Sequence, residues 1–159
     1  MIQHGVYMEG CTLKPNIVNP GKSCPQAYTV DQIAEANLFV LAQSFPTAMP
    51  GLNYLSGGQS LAVAAARLSC INKLKNEDLR GRYPWNISFS WSQALQLPLL
   101  NLCRESKTFD FDRMGFLYVE ELRIARDASL GKYDWGFGEG DHIPPEICGE
   151  KRKRDERYN

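Results

Sequence analysis

Three segments of the chain share one order of hydrophobic and polar positions: a short apolar run, a polar turn, and a longer stretch with helical spacing. The first begins with Gly5–Val18, whose short apolar runs predict a strand that ends near Lys14. Thr29 then favours a helix N-cap, and proline at position 46 predicts that this helix stops before Phe45. The helical spacing rests on Ile33, Ala34, Asn37, Leu38, Leu41 and Ala42.

The second and third segments repeat this order. Residues 52–55 are short and β-prone, and an alanine-rich helix is predicted over Leu61–Leu74, ended by the charged stretch Lys75–Arg82. Residues 85–91 (WNISFSW) alternate apolar and small polar side chains with a period of two, which predicts a strand. Helical composition over Ala94–Cys103 completes the third unit.

The order strand, helix, strand, helix, strand, helix over residues 6–104 is that of βα crossover units. We therefore expect an α/β fold with parallel strands covered by helices. A further helix is predicted over Phe116–Leu130, with Leu117, Leu122, Ile124 and Ala125 on one face. Residues 131–159 are rich in glycine and then in charge, so we divide the chain into a packed part, 1–130, and a loop-rich tail, 131–159.

Charge and cysteine usage narrow the functional classes. Lysine plus arginine and aspartate plus glutamate both count 18, so no basic excess favours a nucleic acid or an acidic membrane surface. No apolar run approaches the roughly 20 residues of a spanning helix, and residues 1–13 do not resemble a signal peptide, which together favour a soluble intracellular protein. The five cysteines are dispersed, and His4 and His142 lie near opposite ends, so we expect reduced thiols and no metal.

Lys14 is the first candidate for chemistry because it stands where a predicted strand ends. In α/β barrels, catalytic side chains gather at the carboxyl ends of the strands. A lysine in a largely apolar strand is expected to lose solvent, which disfavours the ammonium form and provides the neutral amine that attacks a ketone. From this residue alone we favour the simpler interpretation, a lysine whose stem packs along the strand while its ammonium reaches water.

The other two strand ends offer groups that bind anions or hydroxyls. The loop 56–60 (SGGQS) places glycines before a helix, where backbone N–H groups can approach a phosphate, although such a loop is as often a tight turn. Ser90, Ser92 and Gln93 stand at the end of the third strand with hydroxyls and an amide but no cation. Together the three strand ends predict a site for a phosphorylated carbonyl compound.

Three motifs resemble one known family. Residues 9–18 (EGCTLKPNIV) are similar to the strand of class I fructose-bisphosphate aldolases that carries the Schiff-base lysine, including the Pro-Asn pair after Lys14. Residues 55–60 (LSGGQS) resemble the family's next strand-end loop, and residues 84–96 (PWNISFSWSQALQ) resemble the strand after that. Because all three occur in order at similar separations, residues 6–100 are identified as part of a member of this family.

This resemblance implies a fold and an activity. The fold would be a TIM (β/α)8 barrel, of which the chain supplies the last three βα units plus a C-terminal helix and tail. The activity would be that of a glycolytic lyase that cleaves fructose 1,6-bisphosphate reversibly to dihydroxyacetone phosphate and glyceraldehyde 3-phosphate, without a cofactor. Lys14 would form the iminium that accepts electrons as the sugar's C3–C4 bond breaks. The other implied site positions are Ser56, Gly57, Ser92 and Gln93 at a substrate phosphate and Ser90 in the pocket lining.

The chain departs from the family pattern in three ways. The family's tail ends in a tyrosine that reaches the active site, whereas Tyr158 is penultimate here in a tail of different sequence and is not assigned that role. The family has Gly-Arg where this chain has Ser92 and Gln93, so a charged planar fork is replaced by a neutral amide, and phosphate affinity or sugar preference is left open. A barrel of this class needs roughly 250 residues, and three strands cannot close one. The family's acidic and basic partners on earlier strands also have no counterpart here. The chain is therefore expected to be a piece of a longer aldolase or to associate with a partner that completes it.

Three functions stay open at this point. The chain belongs to an aldolase that uses Lys14, to a noncatalytic aldolase-like protein that uses the half-barrel as a binding surface, or to a Schiff-base enzyme for another keto sugar. We expect a phosphorylated sugar as substrate, no nucleic-acid or membrane partner, and a homo-oligomer when the protein is complete, because the family commonly forms tetramers. The expected compartment is the cytoplasm, with a plastid as the alternative.

Overall fold

The computed structural model describes residues 2–21, 23–105 and 110–134, in which short strands alternate with helices. The mixed α/β class with parallel strands is confirmed, and the described residues form an open three-stranded sheet. The elements are 3-10 turns at Ile2–His4 and Met8–Gly10, β1 (Thr12–Leu13), α1 (Val30–Ser44), β2 (Gly51–Tyr54), α2 (Leu61–Glu77), β3 (Asn86–Phe89), α3 (Gln93–Glu105) and α4 (Phe111–Ser129).

The three strands pair in parallel in the order β1-β2-β3, so β1 and β3 are the edges of the sheet. The first strand is much shorter than predicted, because Met8–Gly10 turns into a 3-10 helix before the pairing begins. Pairing nevertheless resumes after β1. Asn16 forms an isolated bridge with Leu55, whose N–H donates to the Pro15 carbonyl over 3.0 Å.

The pairing register sorts the sheet into an apolar and a polar face, because successive side chains of a strand lie on opposite faces. Leu52 and Ile87 are paired neighbours, each 1% exposed, and Tyr54 on the same face is 2% exposed. These side chains belong to the hydrophobic core, to which α1, α2, α3 and α4 also contribute buried residues. The positions of opposite parity form what we call the polar face: Thr12, Lys14, Asn16, Gly51, Asn53, Leu55, Asn86, Ser88 and Ser90.

Aromatic packing joins the end of α1 to the start of β3. The rings of Phe45 and Trp85 meet edge to face with centroids 5.1 Å apart, and the Trp85 indole N–H donates to the Pro46 carbonyl over 3.0 Å. Both side chains are buried. A buried tryptophan therefore has its one polar atom satisfied by the loop that leads into β2.

The helix starts that the sequence predicts are built by side-chain caps. The Thr29 hydroxyl accepts from the Gln32 N–H over 3.2 Å, and the Gln32 side chain accepts from the Thr29 N–H over 3.0 Å, which completes a capping box. Ser60 caps α2 by accepting from the Val63 N–H. The predicted end of α1 before Phe45 is confirmed.

Two helix boundaries were predicted wrongly. The second helix continues to Glu77, three residues into the charged stretch, since long polar side chains are good helix formers on an exposed surface. The last helix begins at Phe111 and not at Phe116, because Asp110 caps it by accepting from the Arg113 N–H over 3.0 Å. Three residues of its predicted apolar face, Leu122, Ile124 and Ala125, are confirmed in the core or packed against it, and the fourth, Leu117, is not among the core residues.

The end of α4 is fastened to α2. Ala125 and Ala128 are fully buried, and the Asn72 amide donates to the Ala128 carbonyl over 3.4 Å. The Ser69 hydroxyl donates to the Tyr133 carbonyl over 3.1 Å, so the chain follows α2 past the end of the helix. The division at residue 130 stays a prediction, and the predicted tail beyond Asp134 lies outside the described residues.

A buried amide fixes the segment that follows Lys14. The Asn37 side chain is fully buried in α1, where its oxygen accepts from the Val18 N–H over 2.8 Å and its nitrogen donates to the Val18 carbonyl over 3.0 Å. The same nitrogen donates to the Ile33 carbonyl over 2.7 Å. Asn37 therefore ties the end of the β1 segment to the helix beside it.

We expect the substitution Asn37→Leu to lower the free energy of unfolding by about 2–4 kcal/mol, because it leaves both backbone groups of Val18 unpaired. Gln43→Leu is the matched control, since Gln43 is an exposed amide on the same helix, and its effect should stay within about 0.5 kcal/mol. Urea unfolding followed by circular dichroism measures both. Equal stability of the two variants would contradict a structural role for the Asn37 amide.

Candidate functional site

The register places Lys14 beside two polar side chains. Thr12 lies opposite Gly51 and Asn16 lies opposite Leu55, so the register is unbroken between them and Lys14 lies opposite Asn53. Asn53 in turn pairs with Ser88 of β3. Lys14, Asn53 and Ser88 therefore form one row across the polar face.

The predicted burial of Lys14 is wrong for the described residues. Lys14 is exposed, and both residues of β1 are exposed as well. The reason is topological, because β1 is an edge strand with one paired neighbour. An exposed ammonium keeps its hydration, so the described residues do not supply the desolvation that the sequence analysis expects.

Ser90 lies on the same face as Lys14, one row closer to the carboxyl ends of the strands. The Ser90 N–H donates to the Tyr54 carbonyl over 2.9 Å, which extends the pairing of β2 and β3 by one residue and sets Ser90 next to Leu55. The row is completed by Asn16 across β1. The structure thus brings Lys14 and Ser90 to one surface.

The glycine-rich loop forms a tight turn at the end of β2. The Gln59 N–H donates to the Ser56 carbonyl over 3.0 Å, and Gly57 and Gly58 have φ angles of 58° and 82°, a left-handed backbone that favours glycine. Neither glycine N–H donates to another described residue. Ser56 is buried. Two backbone donors are therefore available just before the start of α2.

Asn16 connects this loop to the strand that carries Lys14. A β-carbon on Gly57 would lie 2.8 Å from the Asn16 side-chain oxygen, so the amide of Asn16 lies against the turn. Because Asn16 follows Lys14 by two residues on the same face, the loop lies at the carboxyl-end rim of the polar face.

Ser92 and Gln93 lie at the start of α3. Gln93 is the first residue of that helix, and the Ser92 carbonyl accepts from the Gln96 N–H over 2.9 Å. Ser92 is exposed and Gln93 is half-buried. Helix N-termini carry partial positive charge, so the starts of α2 and α3 both favour an anion at this end of the sheet. Lys14 is the only charged side chain on the polar face.

Asn53 and Ser88 are site residues that no sequence motif marks. Both are half-buried and lie in the row of Lys14. The period-two alternation of residues 85–91 places Ser88 on the face opposite to Ile87. The alternation does not show which strand lies beside Ser88. Only the register supplies that information.

An apolar cavity of about 490 Å³ lies between β1 and α1. Its lining includes Leu13, Val40, Phe45 and Met49, and Lys14 is not among the lining residues. Leu13 and Val40 are 41% and 42% exposed. The cavity therefore belongs to the open edge of the sheet, where Thr12 and Asn16 of the polar face also contribute to its lining.

The thiol of Cys70 on α2 lies in the hydrophobic core, away from the polar face. Burial and then Asp31, to which the thiol donates over 3.2 Å, together raise the pKa of the Cys70 thiol to about 12. The protonated thiol is a poor nucleophile. The described residues contain no cluster of histidine, cysteine, aspartate or glutamate suited to a metal ion. Nor does any helix among them have the length and apolar character needed to cross a membrane.

Comparisons with known proteins give one consistent family. The family model described as fructose-bisphosphate aldolase class-I matches residues 1–143. Fructose-bisphosphate aldolase C from Homo sapiens is 38% identical over 139 residues, and the aldolase from Schistosoma mansoni is 36% identical over 141 residues. These alignments cover 86% and 87% of this chain.

A solved structure agrees with the sequence comparisons. The fructose-bisphosphate aldolase from Plasmodium falciparum, in a complex with TRAP and a small-molecule inhibitor, superimposes with a TM-score of 0.72 at 33% sequence identity. The superposition covers 82% of this chain and 35% of that one. The human relative is likewise covered over 35% of its length, so the chain spans about a third of the proteins it matches.

A substitution at Gly51 tests how closely β2 and β3 approach each other on the polar face. A β-carbon on Gly51 would overlap the Asn86 carbonyl oxygen, which belongs to backbone and cannot rotate away. We expect Gly51→Ala to lower the free energy of unfolding by about 2–4 kcal/mol. Gly21→Ala is the control, because a β-carbon there meets nothing within 4 Å. If urea unfolding finds the Gly51→Ala chain as stable as the control, β2 and β3 do not pair in this register.

Proposed function

This chain belongs to the class I fructose-bisphosphate aldolase family, and we propose that it supplies the Schiff-base lysine and part of the phosphate site of such an enzyme. The observation that carries the proposal is the common location of Lys14, Ser90 and the turn at Gly57 on one face and rim of the sheet. Parallel α/β folds bind ligands at this end of their strands.

The architecture proposed is the last three βα units of a TIM barrel, in residues 1–130, followed by a tail. The polar face would line the barrel interior, and further βα units outside this sequence would pair with the edge at β1. The apolar cavity beside β1 supports this idea, because an unpaired edge next to exposed Leu13 and Val40 is unstable in water without a cover. Such a cover would also bury Lys14 from its open side. As in the family, the complete protein is proposed to be a homo-oligomer.

In the proposed reaction, the neutral amine of Lys14 attacks the keto carbon of fructose 1,6-bisphosphate. Loss of water gives an iminium, which accepts the electron pair of the C3–C4 bond as that bond breaks. One product is released as glyceraldehyde 3-phosphate, and the other stays on Lys14 until hydrolysis frees dihydroxyacetone phosphate. The acid and base groups that move protons in these steps are proposed to come from the missing strands.

Phosphate binding is proposed for the two glycine N–H groups and the two helix starts. Gly57 and Gly58 offer donors, Ser56 and Ser92 offer hydroxyls, and Gln93 offers a neutral amide at the first turn of α3. These groups are all uncharged. The site would therefore hold a phosphate with less charge compensation than the family's arginine gives.

A noncatalytic, aldolase-like binding protein is the second candidate. The exposure of Lys14 and the neutral Gln93 favour it, because both weaken the chemistry that the family performs. Reduction with borohydride, described next, separates the enzyme from the binding protein.

Reduction with borohydride in the presence of dihydroxyacetone phosphate tests the proposed nucleophile. We expect peptide mass mapping to find the sugar adduct on Lys14 in preference to Lys132, an exposed lysine distant in sequence. The Lys14→Arg variant should form no adduct at position 14. An unmodified Lys14 in a sample shown to be folded by circular dichroism would refute the enzymatic proposal and favour the binding protein.

The substitution Gln93→Arg tests the proposed phosphate site. We expect it to tighten binding of fructose 1,6-bisphosphate about tenfold, because a charge-assisted hydrogen bond replaces a neutral one. Gln96→Arg adds the same charge at an exposed position of the same helix and should change the affinity by less than about twofold. Isothermal titration calorimetry measures both. Equal affinities would place position 93 away from the phosphate.

A further inference from the structure

The middle of the sheet holds a residue that strands ordinarily avoid. Asparagine is depleted in strands, yet Asn53 occupies the third position of β2, the central strand. Its neighbours Leu52 and Tyr54 are buried in the core, as a central strand requires. Asn53 is half-buried, and its amide has no hydrogen-bond partner among the described residues. Packing and local hydrogen bonding therefore do not explain an amide at this position.

The register gives Asn53 one ionisable neighbour. Lys14 lies opposite it on β1, and Ser88 lies opposite it on β3. Adjacent strands of a sheet are about 4.8 Å apart, so side chains that share a row are within reach of each other. Of the residues on β2, Asn53 is the one that the register places opposite Lys14.

We propose that Asn53 is a positioning residue for Lys14, a role that rests on the proposed Schiff-base function. In the complex with the sugar, the amide oxygen would accept one N–H of Lys14 and thereby fix the direction of the nitrogen lone pair. The amide nitrogen donates toward the sugar's carbonyl oxygen. In the same complex, the Ser88 hydroxyl would accept the second amide proton and keep the amide in this orientation.

The amide performs this role without exchanging protons. As the N–C bond forms, the nitrogen of Lys14 loses one proton. The carbonyl oxygen then leaves as water, carrying that proton and one from solvent. Asn53 stays neutral throughout, so its contribution lies in orienting both partners. Removal of the amide should therefore slow imine formation and leave the fold intact.

Asn86 provides a matched control. It is an asparagine on the same face, one row away from Lys14 and two strands across the sheet, and it is exposed. Asn53→Ala and Asn86→Ala remove the same amide. Only the first removes it from the row of Lys14.

The test is the rate at which dihydroxyacetone phosphate and cyanoborohydride modify Lys14, followed by peptide mass mapping. We expect Asn53→Ala to slow the modification about tenfold, the rate equivalent of one hydrogen bond, while Asn86→Ala leaves it unchanged. Asn53→Gln, which keeps an amide, should restore part of the rate. Equal rates for Asn53→Ala and the native chain, in samples of equal stability, would overturn the positioning role.

A pH profile separates this proposal from the function on which it rests. Competitive labelling of Lys14 by acetic anhydride needs no sugar. Asn53→Asp should raise the pH at which half of Lys14 reacts, because a carboxylate favours the neighbouring ammonium, and Asn86→Asp should raise it less. If Asn53→Asp shifts the pH profile but native Lys14 forms no sugar adduct, the enzymatic function is refuted and only the contact between residues 14 and 53 is confirmed. Equal profiles for the two aspartate variants would overturn the contact itself.

Discussion

The pairing register of three short parallel strands is the constraint on which the rest of the structure depends. With Leu52 opposite Ile87, the apolar side chains of β2 and β3 lie together under the helices. The same register places Lys14 in one row with Asn53, and Ser90 in the next. A slip of one residue would exchange the two faces, burying the lysine among leucines and exposing the core. The core therefore fixes the register, and the register assembles the candidate site.

Much of this fold could be read from the sequence because local chemistry decides it. Thr29 and Gln32 form a capping box whatever surrounds them, and residues 85–91 alternate with the period of a strand. Long-range contacts decide the remainder. Lys14 is exposed because β1 is an edge strand. Whether a strand is an edge depends on which other strands lie beside it, and the apolar residues around Lys14 do not give that information. The start of α4 was misplaced because the Asp110 cap lies beyond the apolar positions that define the helix.

The candidate site, too, could be predicted from the sequence only in part. Its groups at the strand ends could be named one by one, since glycine turns, helix starts and a lysine before proline carry recognisable chemistry. Asn53 could not be named, because the residue opposite it lies on another strand and the sequence does not give the register. The family resemblance carried the interpretation furthest, and the comparisons confirm it. The neutral Gln93 is a feature of this chain itself, and phosphate binding is where its behaviour is expected to differ from that of the family.

The account stands on Lys14 sharing a face with Asn53 and Ser90. Nuclear Overhauser contacts in the isotope-labelled chain measure this directly, because they report protons within roughly one strand spacing of each other. The account predicts contacts from the Lys14 side chain to Asn53 and none to Tyr54. Contacts from Lys14 to Leu52 or Tyr54 would put the lysine on the apolar face and contradict the proposed site.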